Sequence, residues 1–83
     1  MQLHPLVAQG RVVAAGRILA GLDQEQLAAK AGLSSSTVSN IEQGHRPVRA
    51  QTYRAVVQAL DRLGVDVTQN GRTGYHSVGT SYT

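Results

Sequence analysis

Two glycines set the strongest constraint on this chain: Gly32 and Gly44, each closing a short apolar stripe that a capping residue opens. Asp23 has the side chain to cap a helix. Gln26, three residues on, completes a capping-box pattern, and Glu25 sits near the positive helix end. Leu27, Ala28 and Ala31 form the stripe. Gly32 then ends the helix, because glycine takes the left-handed C′ conformation at little cost. Leu33 is expected to plug inward from the turn, and Ser34 to cap a second helix running to about Gln43, which Gly44 terminates. Helices this short are marginal alone. Leu27, Ala28, Leu33, Val38 and Ile41 let each hold the other rigid.

Elements on either side follow from periodicity. Pro5 to Leu22 reads as a first helix, with Pro5 in an early helical position and Val12, Ala15, Ile18, Leu19 and Leu22 as its buried face. Gly10 and Gly16 weaken it by roughly 1 kcal/mol each relative to Ala, unless Gly16 serves close helix contact. After Pro47, a helix from about Ala50 to Leu63 carries the stripe Tyr53, Val56, Val57, Leu60 and Leu63, and Gly64 closes it. The tail changes period. Val65 and Val67 alternate with Asp66 and Thr68, Asn70-Gly71 signals a hairpin turn, and Tyr75 to Val78 suits a return strand. A lone hairpin is marginal, so it must pack on the helices, pair with another chain or stay mobile.

Eighty-three residues suit one domain, and 41% hydrophobic with 16% charged residues makes a lean core. The absence of Cys excludes disulfides and thiolate metal sites. It leaves oligomerisation as the expected support for so small a chain, and fits a reducing cytosol. No apolar run approaches the ~20 residues of a membrane span, and no signal peptide is read at the start. His4, His45 and His76 lack metal-ligand spacing, and no nucleophile elbow, phosphate loop or carboxylate pair is present. Neither metal nor cofactor nor catalysis is expected.

The net charge of +3 matters less than its placement. No acidic residue lies between Gln43 and Leu60, where His45, Arg46, Arg49 and Arg54 fall. Such a field favours a polyanion; a solvated basic face is the plainer alternative. On the second short helix, Ser35, Ser36, Ser39, Asn40 and Gln43 share the face opposite Val38 and Ile41. That face is short-chained and uncharged, where plain solvation would bring Lys and Glu. It suits a helix lying close against another surface.

The run from Gln24 to Gly44, with Leu27-Ala28, Gly32, Val38 and Ile41-Glu42 at their spacing, resembles the Cro/XRE-type helix-turn-helix family, and the likeness extends over about Val12 to Leu60. It implies a mainly α fold: a compact four- to five-helix lambda-repressor-like domain over 1–64, with a short C-terminal extension over 65–83 able to form a β-hairpin. It implies double-stranded DNA as partner, with Ser35, Ser36 and Asn40 at base edges and Ser34 and Ser39 beside them. Gln24 would meet a phosphate, as would Arg46 and Arg49 in the loop after Gly44, with Lys30 and Arg54 adding to the basic set. Arg17 and Glu42 match a buried ion pair joining the first helix to the end of the third. Asn40 can pair bidentately with adenine, whereas serine accepts any base, so direct readout at Ser35 and Ser36 is weak. The expected role is a cytoplasmic homodimeric transcriptional regulator, most readily a repressor, with RNA polymerase as a further contact. The rival is a protein-interaction module of the same fold, such as an antitoxin or antiactivator. For the dimer, the end of the fourth helix and the Val65–Val78 segment are the candidate surfaces.

Overall fold

The computed structural model describes residues 4–70 and 75–80, with side chains for residues 4–67. Helices α1 (Pro5–Leu19), α2 (Gln24–Ala31), α3 (Ser35–Gln43) and α4 (Ala50–Arg62) precede strands β1 (Val65–Asn70) and β2 (Tyr75–Thr80). The punctuation behaves as local chemistry requires. Asp23 accepts from the Gln26 amide at 2.7 Å while the Gln26 side chain accepts from the Asp23 amide at 2.9 Å, closing the capping box. Ser34 accepts from the Thr37 amide at 3.2 Å. Gly32 and Gly44 stand at φ 71° and 68°, where a side chain would be strained.

All four helices and β1 share one core. Val13 comes from α1, Leu27 and Ala28 from α2, Val38 and Ile41 from α3, Val56, Ala59 and Leu60 from α4, and Val65 from β1; none is more than 3% exposed. Leu33 packs against this cluster from the turn. On α4, Val56 and Leu60 are buried as expected. Ala59 joins them, while Leu63 is left 42% exposed.

The first helix departs from expectation. It stops at Leu19, and its buried face is Gly10, Val13 and Gly16 rather than Val12, Ala15, Ile18 and Leu19. Ile18 and Leu19 are 65% and 53% exposed. Two features turn the helix this way. Arg17 faces the end of α3, and Gly10 lies on that same face seven residues earlier, where a Cβ would come within 2.5 Å of the Ile41 and Glu42 carbonyl oxygens. Only a glycine lets the backbones approach so closely, and rotation toward Val12 would withdraw Arg17 from its partner.

β1 and β2 pair antiparallel from Val65↔Thr80 to Asn70↔Tyr75. The hairpin packs on the helices: β1 lies on α4, and both strands touch α1. Val65 is buried, Val67 packs on the core and Asp66 is exposed, as the alternation requires. Asn70 is still within the ladder, and Gly71, the other half of the expected turn, lies outside the described residues.

Candidate nucleic-acid interface

Three helices meet at Glu42, whose side chain is only 8% exposed. From α1, Arg17 Nε donates to Oε2 at 2.9 Å and Nη2 to Oε1 at 3.2 Å, a bidentate pair. The remaining guanidinium nitrogen donates to the Leu22 carbonyl at 3.0 Å, tying down the connection to α2. From α2, Gln24 Nε2 donates to Glu42 Oε1 at 3.1 Å. The hydrogen bond to Glu42 raises the Arg17 pKa further above its already high ordinary value, against the opposing pull of desolvation. The junction thus sets how α3 lies relative to α1 and α2. Gln24 is held within it, with its second amide hydrogen uncommitted among the described residues.

Beyond this junction the polar groups of α3 are open. Ser35, Ser36 and Asn40 are exposed and make no side-chain hydrogen bond among the described residues. Ser34 is otherwise engaged: besides capping Thr37, its hydroxyl shares a 2.8 Å hydrogen bond with the Thr37 hydroxyl. Ser39 accepts from Gln43 Nε2 at 3.1 Å. Of the five serine and asparagine positions, Ser35, Ser36 and Asn40 are therefore the ones whose side chains need break nothing to meet a ligand.

A groove of about 250 Å³ runs between the end of α3 and the start of α4, lined by Thr37, Asn40, Ile41, Arg46, Pro47, Val48, Arg49 and Thr52. It brings Asn40 together with Arg46 and Arg49, both exposed. Arg49 stands at the N-cap of α4 with no side-chain cap. The amides of Ala50, Gln51 and Thr52 are left without partners among the described residues, aimed where an anion would sit. Neither Thr37, Thr52 nor these amides stand out in the sequence. The available signal was an arginine at a position where Ser, Thr, Asp or Asn would cap.

The other basic candidates are not gathered there. Arg54 is exposed on α4, away from the Val56 and Leu60 side. Lys30 lies toward the opposite end of α4, for its carbonyl accepts from Arg62 at 3.2 Å. The groove is flanked by a charged loop with no carboxylate between Gln43 and Leu60. No helix among the described residues is long and apolar enough to cross a membrane.

A family model described as helix-turn-helix matches residues 13–67, from within α1 to within β1. No curated protein matches the chain.

Proposed function

We propose, for a chain that belongs to the Cro/C1-type helix-turn-helix family of DNA-binding transcriptional regulators, that it represses transcription as a homodimer on an inverted-repeat operator. One observation carries the reading: an uncharged polar face on α3, with Ser35, Ser36 and Asn40 unengaged, beside an acid-free arginine loop and an open helix end. A helix of this width fits the major groove. Asn40 reads adenine through its bidentate edge, while Ser35 and Ser36, with Ser34 and Ser39 beside them, tolerate several bases. Gln24, Arg46 and Arg49 hold phosphates, with Lys30 and Arg54 as outlying cations, so affinity falls as salt rises. Two copies spaced about one helical turn, ~34 Å, engage successive major grooves. Repression follows from excluding RNA polymerase; a direct polymerase contact would give activation instead. No catalytic step and no cofactor enter this reading.

Selection of bound duplexes from a random pool tests it. An inverted repeat whose half-sites lie about 10–10.5 base pairs apart is the expected outcome. Recovery of unrelated sequences, or of isolated half-sites, overturns the homodimer on an inverted repeat.

One observation favours a second reading, a protein-interaction module of the same fold. Ile18 and Leu19 expose apolar surface side by side at the end of α1. Retention on random duplex with a steep salt dependence separates the two, since a protein-binding role requires none.

A further inference from the structure

The two N-terminal turns of α1, residues 5–12, precede the segment matched by the family model, which begins at residue 13. They are not idle. Gly10 lies against the carbonyls of Ile41 and Glu42 in the last turn of α3. Gly44, the next residue but one, lies in turn against the backbone of Leu6 and Val7, where a Cβ would meet the Leu6 carbonyl oxygen at 2.7 Å and the Val7 Cα at 2.8 Å. The same stretch of α1 also reaches the first turn of α4. Gln9 approaches the Tyr53 hydroxyl closely enough to lower its pKa in part. Residues 6–10 therefore hold the chain entering the Arg46–Arg49 loop.

We infer that this segment is a brace for the basic loop, and that Gly10 and Gly44 are positioning residues for its phosphate contacts. The inference rests on the phosphate-binding role given to Arg46 and Arg49. Both glycine contacts are backbone against backbone, so an added methyl cannot be accommodated by turning a side chain. Either the end of α3 or the turns of α1 against it must move, and in both cases the loop loses its support. A displaced loop releases phosphates, whereas general destabilisation only lowers the fraction of folded protein.

The salt dependence of duplex binding distinguishes these effects. The wild-type chain, Gly10→Ala and Val65→Ala are compared on one duplex, at a temperature where circular dichroism shows each folded. Val65 is a core residue beyond the far end of α4. Gly10→Ala is expected to flatten the slope of log affinity against log salt by about 1–2, at ~0.9 for each phosphate no longer neutralised, with affinity down roughly tenfold or more at moderate salt. Val65→Ala is expected to keep the wild-type slope. If Gly10→Ala does not fold, Leu6→Gly, which loosens the same turns without adding a methyl, must flatten the slope. An unchanged slope in whichever variant is folded overturns the brace, as does equal flattening by Val65→Ala. A wild-type chain with no salt-dependent binding overturns the phosphate reading itself, and the brace with it.

Discussion

The junction at Glu42 and the open edge from Ser35 to Arg49 are made of similar polar chemistry put to opposite use. At the junction the charged groups are paired: Arg17 spends its guanidinium on Glu42 and Leu22, and Gln24 donates to Glu42 from the other side. At the edge, Asn40 and the amides opening α4 have no partner among the described residues. α2 and α3 carry side-chain caps, whereas α4, which borders the groove, does not. Satisfied polar groups set the angles between helices, and unsatisfied ones are kept where a ligand can complete them. The first arrangement serves the second, because α3 can enter a groove only if its direction is held.

Breaking the junction should have the largest effect. Glu42→Ala strands a largely buried guanidinium and is expected to cost about 3–5 kcal/mol in urea unfolding. A loss under about 1 kcal/mol would mean that the helices are oriented by apolar packing alone. At the open edge the pattern should invert. Asn40→Ala is expected to weaken specific duplex binding by about 1–3 kcal/mol, some 5- to 150-fold, with the urea midpoint unmoved. Arg46→Ala and Arg49→Ala should each weaken all sequences alike and reduce the salt slope by about 0.9. Unaltered binding in Asn40→Ala would remove that residue from the reading face.

The smallest effect tests an imperfection on the buried side. The Tyr53 hydroxyl is shut off from solvent with no hydrogen bond of good geometry among the described residues. Burial pushes its pKa above the ordinary 10.0, and Gln9 offsets part of that rise. The folded state thus holds the phenolic proton more tightly than the unfolded chain. Stability is intact below about pH 10 and falls as pH rises from the unfolded value through the folded one. Tyr53→Phe should leave neutral-pH stability unchanged or raise it by up to about 1 kcal/mol, and blunt the alkaline loss. A clear destabilisation would show that the hydroxyl has a partner after all.

The hairpin bears on how a dimer can be tested. Val65 is only 2% exposed and belongs to the common core, so cutting the chain after Gly64 removes a core side chain along with β1 and β2. Weakened association in such a truncation would report unfolding as readily as a missing interface. Point changes at the exposed Ile18, Leu19 or Leu63, read by sedimentation, avoid that confusion.

Much of the site was legible because it is local. Asp23, Gly32, Ser34 and Gly44 act on residues within one turn of themselves, so their caps and left-handed ends follow from neighbours alone. The outward face of α3 was legible for the same reason: Val38 and Ile41 leave it no other direction. The first helix was not. It carries one apolar stripe through Val12, Ala15, Ile18 and Leu19 and another through Gly10, Val13 and Gly16, and periodicity favours the bulkier one. The choice belongs to Glu42 and to the carbonyls of Ile41 and Glu42, some thirty residues along the chain, which accept Arg17 and only a glycine beside them. The groove escaped for a like reason, since Thr37 and Thr52 become neighbours only when the loop folds back. The sequence by itself therefore determined where the helix-turn-helix begins, turns and ends, through short-range capping and backbone preference. Tertiary structure alone decided which face of α1 is buried, what Gln24 holds and how the arginines meet Asn40, because those depend on close approach between segments that no local pattern encodes.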